Sequence, residues 1–139
     1  MVLTVVFASA SIQGPDLLSI RRNLMPVPES VRFRDTPLLI DRTFTVALRG
    51  PSGPASPRVY RAALRLLERL GRQTGIPIPI ETSLGSDRAT LLIEHFESVP
   101  GVQRAIEDES YTLEVDAAGA ALRAPTPYGV LRGIETFLQ

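Results

Sequence analysis

The chain has 139 residues, of which 44% are hydrophobic and 22% charged, values that are ordinary for one globular domain with a buried core. Fifteen basic and fifteen acidic residues give a formal net charge of zero, which excludes a general electrostatic attraction to nucleic acid or to an anionic membrane. Cysteine is absent, so disulfide bonds and cysteine-ligated metal sites are excluded as well.

The first 22 residues begin with an apolar run that has more than one interpretation. Val2 to Ala10 ends in small residues, and Ala8-Ser9-Ala10 has the form of a signal-peptidase site, but no basic residue precedes Arg21. The run is also too short to span a bilayer. We favour a weak or clipped signal peptide over an additional strand or a disordered leader. Residues 1–22 are therefore placed outside the domain, which comprises residues 23–139.

Several strands are predicted in the first two thirds of this domain. Residues 29–34 and 43–48 alternate apolar and polar side chains, as in strands with one buried face. Two prolines limit residues 76–80 to an edge or an extended segment, because proline cannot donate a ladder hydrogen bond. The compact apolar run at residues 89–94 predicts a central strand buried on both faces.

One long helix is predicted between these strands. Ser56 followed by Pro57 is a typical helix start, an N-cap and a first-turn proline. Gly71 or Gly75 would end the helix. Its apolar residues recur at helical spacing and form one stripe, and arginines occupy the faces expected to contact solvent.

The C-terminal third contains the clearest pattern. Residues 111–115 and 120–124 predict two strands joined by a turn in which Gly119 can adopt a left-handed conformation. From Val130 the apolar spacing becomes helical and continues to the last residue. Gly129 and Gly133 lie on one face of this helix, where each costs about 1 kcal/mol relative to alanine. Close approach of the helix backbone to a neighbouring surface is the expected reason for both glycines.

Together these elements predict an α+β fold, a two-layer sandwich in which a small mixed sheet has two main helices packed on one face. The residues expected to form the core are Phe44, Val46, Leu66, Leu67, Leu70, Leu91, Ile93, Tyr111, Leu113, Val115, Ile134 and Phe137.

Three motifs in this order resemble one known family. They are L-M-P-V-P at residues 24–28, D-E-S-Y-T-L-E-V at residues 108–115, and the segment from Gly129 to Gln139. The chain is similar over residues 23–139 to the N-terminal accessory domain of the family 20 glycoside hydrolases, the β-N-acetylhexosaminidases. In that family the catalytic barrel begins after this domain, and the barrel is missing from this sequence.

The resemblance implies a non-catalytic role for the chain within a hexosaminidase that removes terminal N-acetylhexosamine residues. In such enzymes the acetamido oxygen of the substrate is the nucleophile, a glutamate is the general acid/base and an aspartate orients the acetamido group. None of these residues, and no cofactor or metal ligand, can be assigned here. The resemblance also implies export, to the periplasm or the extracellular space.

The implied partner is the missing barrel, and carbohydrate would be contacted only through it. Leu131 and Leu138 widen the apolar stripe of the last helix beyond what one sheet face needs, so we expect an exposed apolar patch there that meets the barrel. Two alternatives remain: an accessory domain of another glycosidase, such as an α-glucuronidase, or a free-standing carbohydrate- or protein-interaction module. The absence of tryptophan weakens the interaction module.

Some side chains invite a catalytic interpretation. Asp108-Glu109 is an adjacent carboxylate pair, but it precedes a strand and is expected to be a solvated edge or a partner for arginine. His95 is the only histidine, without a second histidine or cysteine as a metal ligand, and is expected to be a hydrogen-bonded structural group. Tyr60, Tyr111 and Tyr128 are scattered through predicted elements, so we expect packing rather than sugar stacking.

Overall fold

The computed structural model describes residues 6–7, 24–25, 27–33, 37–85, 89–99, 102 and 106–139. Their arrangement confirms the α+β prediction, because a mixed sheet of four strands forms one layer and two long helices form the other. In chain order the elements are β1 (Val6–Phe7), β2 (Arg32–Phe33), β3 (Val46–Arg49), α1 (Pro57–Thr74), α2 (Ile80–Ser83), β4 (Leu91–His95), β5 (Thr112–Asp116), β6 (Gly119–Ala124) and α3 (Pro127–Phe137).

The sheet has the order β3–β4–β6–β5, so β4 and β6 are its central strands. β3, β4 and β6 run parallel, which the crossover through α1 allows, whereas β5 is antiparallel to β6. Asp116 holds the turn between β5 and β6, because its Oδ1 accepts hydrogen bonds from the amides of Ala118 and Gly119 at 2.8 and 3.1 Å. β5 and β6, the last two strands along the chain, therefore form a tight hairpin directly before α3.

Gly119 corrects one prediction about this turn. It is not among the described glycines with a positive φ, so a left-handed conformation is not the reason for it. A Cβ atom at this position would instead lie 2.9 Å from the carbonyl oxygen of Thr90. That oxygen accepts a 2.7 Å hydrogen bond from the Ala120 amide, so glycine is needed for close approach of β6 to the residue before β4.

α1 begins and ends at the predicted signals. The side chain of Ser56 accepts a hydrogen bond from the Val59 amide, and Pro57 occupies the first turn. Of the two predicted glycines, Gly75 ends the helix, with a φ of 70°. The buried face of α1 consists of Val59, Ala62, Ala63, Leu66, Leu67 and Leu70.

The predicted core is confirmed except at one residue. The following predicted residues are buried: Phe44, Val46, Leu66, Leu67, Leu70, Leu91, Ile93, Tyr111, Leu113, Val115 and Ile134. Phe137 is only partly buried, because it packs at the edge of the core, where its ring centroid lies 6.2 Å from that of Phe44.

β4 is a central strand, but the prediction that both its faces are buried is wrong. Leu91 and Ile93 are fully buried, whereas Leu92 and Glu94 on the opposite face are partly exposed. The reason is that both main helices lie on the same side of the sheet. The other face of the sheet has no helix from the described residues.

Charged side chains cross this open face. Glu94 lies between Arg49 and Arg123, with nitrogen–oxygen distances of 3.2 and 3.1 Å, and Arg123 also reaches Glu114 at 3.4 Å. Each such partly exposed pair contributes at most about 1 kcal/mol to stability. The alternating charges nevertheless pair along the sheet and keep this face polar.

The two glycines of α3 confirm the prediction of a close approach. A Cβ atom on Gly129 would overlap the carbonyl oxygen of Ser110, and one on Gly133 would overlap Cδ1 of Leu122. Since Ser110 precedes β5 and Leu122 lies in β6, the glycines allow α3 to pack directly on the hairpin.

The last turn of α3 corrects the expectation of an exposed apolar patch. Leu138 is only 8% exposed and belongs to the core, while Leu131 is partly buried against it. The carbonyl oxygen of Leu138 also accepts a hydrogen bond from Nε2 of Gln73 in α1, at 3.3 Å. Leu138 therefore packs inward because α1 lies beside it, which a single-helix pattern does not reveal.

Part of the N-terminal segment is described. Val6–Phe7 forms β1, which pairs in parallel with β2 and lies near β5. An additional strand was one of the alternatives for this region, and the other residues before Leu24 lie outside the described part of the chain. No helix in the described ranges combines the length and the apolar character needed to cross a membrane.

Candidate functional site

A groove of about 430 Å³ runs between α1 and α3 on the side of the helices that faces away from the sheet. Its apolar lining includes Leu131 and the mostly buried Leu138, both of which the sequence assigned to a docking surface. Its charged lining comprises Arg65, Glu68, Arg69, Arg72, Glu109, Arg132 and Glu135. The groove is therefore a mixed surface, with four arginines and three glutamates along an apolar floor.

Most of the positive charge comes from one row of side chains on α1. We call Arg58, Arg61, Arg65, Arg69 and Arg72 the arginine row. These residues are three or four positions apart, so they share one face of the helix. At 1.5 Å per residue the row is about 21 Å long. From the sequence, these arginines are predicted to lie on the solvent-facing sides of α1 but are not identified as one row, although their spacing alone indicates it.

Two ion pairs and one ring contact lie along the groove. Arg69 Nη1 lies 2.7 Å from Glu135 Oε2, which connects α1 to α3. Arg132 binds Glu109 with two hydrogen bonds, from Nε at 2.8 Å and from Nη2 at 3.2 Å. This contact raises the pKa of Arg132 above its ordinary value, first through the hydrogen bonds and then through the opposite charge.

Arg58 supplies the ring contact at one end of the row. Its guanidinium carbon lies 4.7 Å from the ring centroid of Tyr128, a cation–π arrangement. Tyr128 is buried, with only 2% of its surface exposed. Its ring therefore supports the arginine rather than presenting a free face on which a sugar could stack.

Asp108 and Glu109, the adjacent carboxylates, do not point to a common centre. Asp108 accepts a 2.8 Å hydrogen bond from the Ser110 amide, and hydrogen bonding to Ser110 lowers the pKa of Asp108. Glu109 is engaged with Arg132. One carboxylate thus stabilises the turn before β5, and the other connects this turn to α3.

His95 lies at the end of β4, 3% exposed, and both its ring nitrogens have partners. The Ser56 amide donates to Nε2 at 3.2 Å, so Nδ1 carries the proton and donates to the carbonyl oxygen of Glu97 at 3.0 Å. The ring thereby joins β4 to the N-cap of α1. No group of three or more potential metal ligands occurs within the described residues.

The side chain of Gln139 connects the end of α3 to the segment before β2. Its Oε1 accepts a 2.7 Å hydrogen bond from the Met25 amide, and its Nε2 donates to the Met25 carbonyl oxygen at 2.6 Å. These residues are 114 positions apart, so no pattern within one element indicates the contact. The first and third motifs of the resemblance therefore meet in the folded chain.

Comparisons with known proteins agree with this geometry. A family model described as "beta-acetyl hexosaminidase like" matches residues 24–139. The chain belongs to this beta-acetyl hexosaminidase-like family. The fold is also similar to the X-ray structure of a chitobiase from Flavobacterium johnsoniae, with a TM-score of 0.70 and 32% sequence identity. A comparison with curated proteins gave no match.

This hexosaminidase-like domain corresponds to a small part of its structural relative. The match covers 84% of this chain and 18% of the chitobiase chain. The structure explains why particular residues occur in the second and third motifs. The second motif supplies buried Tyr111 and Leu113, and the third supplies Gly129, Gly133 and Gln139, which allow close packing and join α3 to the segment before β2.

Tyr111 of the second motif makes a buried hydrogen bond that is open to a direct test. Its hydroxyl lies 2.5 Å from Oγ1 of Thr136, and Thr136 in turn donates to the carbonyl oxygen of Arg132 at 3.3 Å. Burial raises the pKa of Tyr111, and the hydrogen bond opposes this effect. A tyrosine in the unfolded chain ionises near pH 10, whereas the raised pKa keeps the buried Tyr111 protonated at that pH. Its contribution to stability is therefore present below about pH 10 and is lost as the pH rises further.

We expect Tyr111→Phe to lower the free energy of unfolding by about 1 kcal/mol at neutral pH. The variant should also lose less stability than the wild type between about pH 9 and 11, since it lacks the ionisable group. Urea unfolding monitored by circular dichroism across this pH range measures both effects. Tyr60→Phe is the control, because Tyr60 is 49% exposed. An unchanged alkaline loss in Tyr111→Phe would contradict the assignment.

Proposed function

We propose that this chain is the non-catalytic N-terminal domain of a β-N-acetylhexosaminidase that hydrolyses terminal non-reducing N-acetylhexosamine residues. The observation that carries the proposal is the family match over residues 24–139, whose motif residues hold the domain together. The relative named a chitobiase supports the same substrate class. In this proposal a catalytic barrel follows residue 139 and alone contacts the carbohydrate.

The described side chains support a non-catalytic role. The two adjacent carboxylates are engaged by Ser110 and Arg132. His95 is buried and hydrogen-bonded through both ring nitrogens. A general acid/base needs access to substrate and a pKa suited to proton transfer, and these three groups serve turns and helix contacts instead.

We further propose that the barrel packs against the helix layer, with Leu131 in the contact. Leu131 lines the groove between α1 and α3, so it is accessible from that side. Leu138 supports this surface from within, through its packing and its contact with Gln73. The domain boundary at residues 22 and 23 and export of the enzyme are parts of the same proposal. Fractionation of cells that express the complete gene would test export.

The first test is the coding sequence beyond residue 139. A family 20 barrel should open with an Arg-Gly … Asp … Arg-His pattern, whereas an α-glucuronidase or an unrelated continuation would contradict the proposal. The coding sequence beyond residue 139 would also distinguish a hexosaminidase from a free-standing interaction module.

The second test is activity. The purified 139-residue chain is expected not to hydrolyse a chromogenic N-acetylglucosaminide, because the chemistry belongs to the barrel. Initial rates with the chain, with an Asp108→Asn variant and with a Glu109→Gln variant measure this. Turnover by the chain that either amide variant abolishes would place catalysis within this domain and overturn the proposal.

A further inference from the structure

Three members of the arginine row, Arg61, Arg65 and Arg72, form no ion pair within the described part of the chain, and two of them line the groove. Arg65 and Arg72 are exposed and line the groove, yet neither has a carboxylate within ion-pair distance among the described residues. Their neighbour Arg69 is paired with Glu135. Arg65 and Arg72 are seven residues apart, about two helical turns or 10 Å along α1.

The composition of the groove indicates which class of partner fits. Glu68, Glu109 and Glu135 lie in the same groove as the arginines, and these carboxylates would repel a continuous polyanion. The floor includes Ala62 and Leu131, so apolar contact is available beside the charges. Mixed charges over an apolar floor are typical of the polar contacts between domains of one protein.

We propose that Arg65 and Arg72 bind carboxylates on the surface of the catalytic barrel, so that the domain docks through ion pairs at the arginine row. This inference rests on the proposed function and specifies its contact. It differs from docking through an apolar patch on α3 alone, because Leu138 is only 8% exposed where it lines the groove, whereas Arg65 and Arg72 are exposed there. Arginine suits this role, since its planar group binds a carboxylate through two parallel hydrogen bonds.

The test compares the same variants in two contexts, the 139-residue chain and the complete enzyme. The test variant is Arg65→Gln with Arg72→Gln, and a second variant places glutamate at both positions. The matched control is Arg32→Gln with Arg42→Gln, which removes the same charge from two exposed arginines outside the groove. Scanning calorimetry measures the unfolding midpoint of this domain in each context.

In the 139-residue chain we expect every glutamine pair to shift the midpoint by less than about 1 °C, because these arginines are exposed and form no ion pair with another described residue. In the complete enzyme the Arg65/Arg72 glutamine pair should lower the midpoint by about 3 °C or more, and the glutamate pair should lower it further. The control pair should leave it unchanged. The loss should diminish at about 1 M salt, since ions screen partly exposed pairs.

Several results would overturn the inference. Equal shifts in both contexts would mean that the arginines act only within the domain, and equal effects of glutamine and glutamate would exclude an acidic partner. Wild-type dimers that the glutamine pair dissociates would assign the groove to a second copy. Retention on dextran sulfate that the same pair abolishes would assign it to a polyanion. An active complete enzyme with any of these results leaves the proposed function intact, whereas a gene without the barrel removes both proposals.

Discussion

Gly129→Ala is expected to lower the free energy of unfolding by at least about 2 kcal/mol, although alanine is the better helix former. The added methyl group would overlap the carbonyl oxygen of Ser110 and approach Cβ of Ala124 to 2.9 Å. Because the first of these is backbone, relief requires α3 to move away from the hairpin. Chemical unfolding monitored by circular dichroism measures the loss.

The chain contains a matched control for this substitution. Gly71 also lies within a helix, but a Cβ there would meet only the Ile76 carbonyl oxygen, at an ordinary 3.4 Å. Gly71→Ala should therefore raise stability by up to about 1 kcal/mol, the difference in helix propensity. The same chemical change is thus expected to have opposite signs in α1 and α3. A stabilising Gly129→Ala would mean that α3 does not pack closely on the hairpin.

Leu67→Ala and Leu113→Ala are each expected to cost about 2–5 kcal/mol. Leu67 is 1% exposed on the sheet side of α1, and Leu113 is 2% exposed on β5, so each truncation leaves a cavity between the two layers. The unfolding midpoint in urea, with the slope checked for constancy, gives the change in free energy.

Leu39→Ala is the control for both core variants, because Leu39 is 74% exposed and should lose less than about 0.5 kcal/mol. If Leu67→Ala and Leu113→Ala also lose less than about 0.5 kcal/mol, the faces of α1 and β5 are assigned the wrong way round. A large loss at only one of them would locate the error to the element that contains the other residue.

Local signals account for what the sequence predicted well. Ser56, Pro57 and Gly75 act on their own backbone neighbours, so the limits of α1 follow from chain-local chemistry. The alternation at Tyr111, Leu113 and Val115 likewise identifies a strand from the sequence alone, because it requires only that one face of the strand be buried. The class of fold and most of the core follow from these two kinds of pattern.

The errors arose where a second element decides the environment. The side of β4 that stays open depends on where both helices lie, and Leu92 gives no sign of this by itself. The burial of Leu138 depends on α1, and the need for Gly119 depends on the Thr90 carbonyl oxygen. A hydrophobicity pattern records how apolar a position is but not which neighbour covers it.

The candidate site shows the same limit for charged residues. Spacing places Arg65, Arg69 and Arg72 on one face of α1, and this much is predictable. Which of them is paired depends on Glu135 of α3, on the opposite wall of the groove. The difference between a paired and an unmatched arginine, on which the docking inference depends, therefore required the tertiary structure.

The amide bridge between Met25 and Gln139 holds the segment before β2 against the end of α3. Two parts of the chain that are 114 positions apart are thereby joined by one side chain. Because a side-chain amide supplies both a donor and an acceptor, Gln139→Glu would keep only one of the two hydrogen bonds.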